Sequence, residues 1–565
     1  MARVIAIYLD GYDHAFERQM VAAGELPALA RLAKQSGRFP LDHGEARQCG
    51  ISGEHVASGL DPQRAGRHSN ITFNPATYAV KQFGALAAPF CTHLNQATVV
   101  FDVPYFDMQQ CDNVRGIADW GAHDGSVDSL FRPPELKQRF NAKFGAYPAE
   151  QWHYSYVWPS VERTIAMAAG LANAIDLRAH ATEWLLTEGV CDWQLALIGI
   201  GEVHSAIEGL WHGIDSNHPL HAVDSAPAAG EGVRNVYRAV DRLVNRLMTR
   251  FTDATFVVFT LHGMGSNSAD TTGMLMLPEL LFRLQFGRKL LRPAAPLEQS
   301  DPSALVYPSK RHDWDGSMQR LLPWLSAPQF RRLAMNRLPK SLWPWLDRRL
   351  SQAEFSGYGR VYSHLHWMPV LAYQPYWAKM KAFALPAFHD GRIRINLKGR
   401  ERRGLVEPTD YRRVCDEITR LLQDCRSPGR DIPVVAEVRR NQQNDPLTIG
   451  HTEADLTVIW SHPTQAIKHP QLGTIGPVPF RRPGGHTGGL GMAYVKAVGV
   501  VPGDYATRSS FDVVPTLIQL LGAHAVDGLS GRSMLAPRQA TKRPPLAAAR
   551  RASVADAIEA FAIPT

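Results

Sequence analysis

Short β-branched runs alternate along this chain with longer amphipathic stretches, and that alternation constrains its fold more than any other feature. Runs at Val4–Leu9, Thr98–Val103, Gln194–Ile200, Phe256–Thr260, Leu456–Trp460 and Tyr494–Val501 read as strands. Helical patterns lie between them at Leu26–Gln35, Asn173–Thr187 and Gly232–Phe251. In the last, Val233, Val236, Val240, Leu243 and Leu247 recur at helical spacing and mark a core face. Strand-helix alternation of this kind predicts an α/β fold of three layers around a mostly parallel sheet. A chain of 565 residues holds either two to four units or one large core with insertions, at roughly 100–200 residues per domain.

The boundaries expected from composition are a core over 1–280, a basic Trp- and Arg-rich insertion over 281–350 and an accessory α+β segment over 351–450 that roofs the site. The core resumes over 451–536, and a basic tail, 537–565, follows. The insertion reads as a solvated segment packed on the core, with peripheral membrane contact through 311–350 as the alternative. Apolar types at 45% and charged types at 20% exclude a chain that is mainly disordered. No apolar run approaches the roughly 18 residues of a membrane span, and the opening MARVIAIYLDG lacks the features of a secretory leader. Six cysteines without CxxC spacing make no disulfide framework, so a reducing, cytoplasmic setting is expected. Sixty-one basic against fifty-three acidic residues give a net charge of +8, which suits small anionic partners. No nucleic-acid-binding signature accompanies it, and no nucleic-acid partner is expected.

Polar residues of metal-binding type fall just beyond the strands. Asp10 follows the first, Glu202, His204 and Glu208 follow the third, and His262 follows the fourth. His486 lies in the Gly-rich loop RRPGGHTGGLG. In open parallel sheets, ligands gather at the carboxyl ends of strands. His204 and Glu208 are four apart, so they share a face of any helix that starts there. The histidines of WHGIDSNHPLH (His212, His218, His221) and the polar groups of INLKGRERRG (Asn396, Lys398, Arg400) are weighed as sites and read as packing and turn residues.

Several segments together resemble the alkaline phosphatase superfamily, in its type I phosphodiesterase/nucleotide pyrophosphatase branch. They are VIAIYLDGYDHAFERQMVAAGELPALARLAKQSG, EHVASGLDPQRAGRHS, WQLALIGIGEVHSAIEGLWHGID, FVVFTLHGMG, KAFALPAFHDGRIRINLKGRERRGLVEP and SSFDVVPTLIQLLGAHAVDGLSGRSML. The resemblance implies two divalent metals, usually zinc, around a Thr, Ser or modified Cys nucleophile. Asp10 and His486 match the family's ligands. Counting back from Ser58-Gly59-Leu60 puts Cys49 at the nucleophile position, without the Pro and Arg that formylglycine formation needs. The family's Asp-x-x-x-His is here His204-x-x-x-Glu208, and the Asp of its Asp-His-Gly is Leu261, which leaves His262 alone. One metal position is therefore depleted to Asp10, His262 and the Cys49 sulfur, while the other keeps His204, Glu208 and His486. Two imidazoles and a carboxylate suit a zinc ion, with iron as the alternative.

The function expected is a metal-dependent hydrolase of phosphate or sulfate esters. Cys49, or a metal-bound water, would attack, and Glu54 or His55 would serve as base. The alternatives are a catalytically silent, anion-binding member and a mononuclear zinc or iron enzyme of another reaction class.

Overall fold

The computed structural model describes residues 3–121, 129–152, 160–292, 305–306, 314, 318, 321–322, 361–363 and 365–535. Met1–Met534 form one compact unit. Most of the 281–350 insertion and all of the 537–565 tail, with the expectations placed on them, lie outside the described residues.

That unit is built on a ten-stranded sheet. Its principal strands are β1 (Val4–Leu9), β2 (Gly37–Asp42), β3 (Thr98–Phe101), β4 (Val114–Ala118), β5 (Leu130–Arg132), β6 (Leu195–Ile200), β7 (Thr255–His262) and β8 (Leu490–Lys496). Their order is β2-β8-β7-β1-β6-β3-β4-β5, and the short strands Gly503–Asp504 and Arg508–Ser509 extend the β2 edge. The run β7-β1-β6-β3-β4 is parallel, and β8 and β5 pair antiparallel on either side of it. β1 at the centre is buried along its whole length, so it reads as continuous apolar sequence instead of alternating.

Two long helices cover one face. Ser160 caps the helix α1 (Val161–Trp184) by accepting from the Arg163 amide, and Pro227 opens α2 (Ala226–Arg250), where its missing N–H costs nothing. The five residues expected on the core side of α2 are all fully buried. Arg178 of α1 lies beneath the sheet's carboxyl edge with no exposure. It reaches Asp102 at 2.7 Å, just after β3, and Glu202 at 2.8 Å, just after β6.

A second, antiparallel sheet of four strands, in the order Ala382–Leu385, Gly391–Ile395, Leu456–Trp460 and Val435–Arg440, carries its own apolar core with the helix Tyr411–Gln423. Here the structure corrects the sequence. Leu456–Trp460 belongs to this sheet and not to the parallel one, so the sheet takes strands from both sides of the boundary expected at 450. Arg400 also proves structural, because it is held by Asp455 at 2.8 Å and by Glu401 at 2.9 Å. Asn396 accepts from Tyr78 and donates to the Trp377 and Met380 carbonyls.

Candidate metal centre

The carboxyl edge of β1, β6 and β7 brings the site together. The Asp10 amide donates to the Ile200 carbonyl at 3.0 Å, which fixes Asp10 beside the end of β6. After Gly201 the chain turns into the helix α3 (Glu202–Leu210), and its four-residue spacing turns His204 and Glu208 the same way. His486 arrives from the loop before β8. The short antiparallel pairing of Gly265–Ser266 with Gly484–Gly485 anchors that loop, and the Asn267 side chain donates to the Gly484 carbonyl at 3.0 Å. A Cβ on Gly484 would meet the Ile207 carbonyl oxygen of α3 at 2.0 Å. Only glycine lets the loop lie this close to the helix that carries the other two donors.

His204, Glu208 and His486 each offer a ligand atom within 4.8 Å of the others, the only such cluster of His, Cys, Asp or Glu among the described residues. The Nε2 atoms of His204 and His486 face each other at 3.2 Å, and Glu208 Oε1 lies 2.9 Å from His204 Nε2. Asp10 Oδ2 meets His204 Nδ1 at 3.0 Å, and Tyr8 donates to Asp10 Oδ1 at 2.7 Å. Burial works against a charge on His204, but Glu208 and Asp10 outweigh it and raise the imidazole to about 9. His486 is pushed well below its ordinary value by burial and the surrounding imidazoles, and its Nδ1 is buried with no hydrogen-bond partner. Arg482 is bound to Glu208 and also to Asp270, at 2.7 Å, so a fixed guanidinium stands beside the cluster.

Asp10, His204, Glu208, His486 and Arg482 line a cavity of about 60 Å³, with Ser52, Asn70, Tyr105 and His389 among the other walls. His389 was not singled out from sequence, since nothing in AFHDGR sets it apart. Its ring centroid lies 3.8 Å from that of His486.

The remaining expected residues lie elsewhere. Cys49 does not line this cavity but a separate one of about 710 Å³, together with Arg392, Asp390 and His68. Burial pushes its thiol up to about 12, against the opposing pull of Arg392. Glu54 is paired with the buried Arg67 and accepts from the Leu86 amide at 2.8 Å, so its carboxylate is committed to structure. His55 Nδ1 meets His43 Nε2 at 3.1 Å, and burial lowers His55 to about 3. In place of Cys49, the structure brings Ser52 to the cavity. The chain turns at Gly50, φ 69°, and Ser52 opens the helix Ser52–Ser58. Its hydroxyl lies 3.1 Å from Nε2 of His262, the last residue of β7. His262 and Asp10 are both buried here but stand outside the three-donor cluster, and Leu261, buried beside them, has no donor atom. His212, His218 and His221 bond locally, to Ser225, to the Leu220 amide and to the His212 carbonyl, as loop packing requires.

No protein-family model matches this sequence, and no curated protein matches it. Among solved structures the chain is similar to phosphonoacetate hydrolase from Sinorhizobium meliloti 1021 in complex with phosphonoformate. There the identity is 14%, the TM-score is 0.48, and the match covers 92% of this chain and 95% of that one. It is also similar to murine ectonucleotide pyrophosphatase/phosphodiesterase 5 in complex with AMP, with 9% identity, 93% and 96% coverage and a TM-score of 0.44. The alkaline phosphatase PafA matches with 11% identity, 94% and 99% coverage and a TM-score of 0.47. What this chain's pocket does rests on its own side chains.

Proposed function

We propose that this chain is a hydrolase of small phosphate or sulfate esters that works with one divalent cation, zinc before iron, held by His204, Glu208 and His486. The observation that carries the reading is the convergence of three donors from two distant stretches of chain, within 4.8 Å, at the carboxyl edge of a parallel sheet. The donors fit such an ion chemically. Two imidazole nitrogens confront each other beside a carboxylate oxygen, and two imidazoles with one carboxylate is a donor set of catalytic zinc. Bound there, the ion would polarise an ester oxygen and neutralise charge as the bond breaks.

This chain's own groups supply the rest. Arg482, held by Asp270, offers guanidinium N–H donors to an anionic oxygen, in a position set before the substrate arrives. Asp10 fixes the His204 ring from its Nδ1 side, the support a metal-binding histidine ordinarily receives. An ester's anionic head would enter the cavity that these groups line.

Elemental analysis of protein purified without chelator tests this together with turnover of aryl phosphate and aryl sulfate esters. The expected result is one equivalent of metal and ester cleavage, both lost in Glu208→Gln and His486→Ala. Absence of metal after zinc or iron loading, or undiminished cleavage after chelation, would overturn it.

A further inference from the structure

The position where the sequence had lost a metal ligand is not empty of chemistry. His262 Nδ1 lies 2.9 Å from the Gly263 carbonyl, which can only accept, so Nδ1 carries the hydrogen. Nε2 then presents a lone pair in the neutral ring, and it faces the Ser52 hydroxyl at 3.1 Å. Both residues are buried, with Ser52 8% and His262 3% exposed, and Ser52 lines the cavity that holds His204, Glu208, His486 and Arg482. The His262 ring is also fixed in orientation. The ring of His43 stacks on it at 5.4 Å, and His43 itself is tied to Ser510 at 2.6 Å. A hydroxyl within hydrogen-bond reach of an imidazole, with that imidazole oriented by a third group, is the arrangement that activates a serine without a metal.

We propose that Ser52 and His262 form a nucleophile–base pair that takes over the work of the missing metal position. This deepens the hydrolase reading above and rests on it for the class of ester.

In the first step Ser52 Oγ bonds to the phosphorus or sulfur and the bond to the leaving oxygen breaks. The serine proton passes to His262 Nε2, and the leaving oxygen departs as an anion that solvent protonates. In the second step water attacks the Ser52 ester and the bond to Oγ breaks. The proton that His262 took in the first step returns to Oγ, the attacking water gives one proton to solvent to offset the one the leaving group took, and the free acid leaves with both groups restored. Cys49 takes no part.

A small alkyl fluorophosphonate is the probe, with peptide mapping by mass spectrometry as the readout on the full chain, both as purified and after chelation. Attack by Ser52 would expel fluoride and leave a stable phosphonyl ester. The expected result is modification of Ser52 that chelation does not abolish, that Ser52→Ala removes and that His262→Gln slows at least tenfold. Glutamine can still accept a hydrogen bond from Ser52 but cannot take its proton, so the variant separates a base from a merely structural partner. Modification at Cys49 instead of Ser52, no modification of the wild type, an equal rate in His262→Gln or loss of labelling on chelation would each overturn the pair. Its failure is distinguishable from failure of the metal reading. Metal uptake with full ester turnover in Ser52→Ala removes the pair alone, whereas Ser52 labelling in a protein that binds no metal removes the metal site alone.

Discussion

Cys49 and Ser52 are three residues apart, yet they occupy different chemical settings. With its thiol pushed up to about 12 by burial, Cys49 holds roughly a thousandfold less thiolate at pH 8 than an ordinary cysteine. The sign is simple. Only above that value does the nucleophilic form dominate, so iodoacetamide should modify Cys49 far more slowly than the exposed Cys191 across pH 7 to 9. Mass mapping of alkylated peptides reads this out, and Cys49→Ala should retain ester turnover. The sequence could not reveal the exchange. Counting back from Gly59 fixes a number of residues, but the chain leaves the helix at Ser52 and passes through the left-handed Gly50 before it reaches Cys49. Side-chain direction is set there by backbone geometry and not by count. His204, Glu208 and His486 were legible because a helix spacing and a Gly-rich loop both leave marks in sequence.

At the level of elements, the site depends on two supports that are not themselves donors. Gly484 lets the His486 loop touch α3, and Gly484→Ala drives a methyl group into the Ile207 carbonyl. The expected cost is about 1–3 kcal/mol of stability, with metal affinity falling further as His486 moves away from His204. Denaturant unfolding and metal titration of the same variant measure the two effects. Arg178 ties the ends of β3 and β6 through Asp102 and Glu202, all three buried. Arg178→Met leaves two carboxylates uncompensated, and a loss of about 3–5 kcal/mol is expected in equilibrium unfolding. Strand existence was readable from apolar runs, but sheet membership was not. Leu456–Trp460 carries the same apolar signature as the core strands, and only its partners, Gly391–Ile395 and Val435–Arg440, place it in the second sheet.

For the whole molecule, the donors' separation along the chain links ion uptake to folding. His204 and Glu208 come from one stretch and His486 from another almost 280 residues later, so the intact fold assembles the set and the unfolded chain does not. Free metal at a hundred times its dissociation constant should stabilise the protein by about 2.7 kcal/mol. In thermal melts, metal should raise the midpoint of the wild type, while His486→Ala should melt near the metal-free wild type and show no rise. The three-layer architecture was apparent in the strand-helix alternation, and an accessory segment over the site was expected as well, but the particular residues through which it lines the cavities, His389 and Asp390, were not, since such tertiary contacts leave no periodic trace. Neighbouring residues of that approach look in opposite directions. Gly50 and His389 face the small cavity, whereas Cys49 and Asp390, each one position away, face the large one. The two hollows therefore meet at the same short segments of chain, and a guest that settles in the roomier chamber leans on the wall that shapes the smaller one.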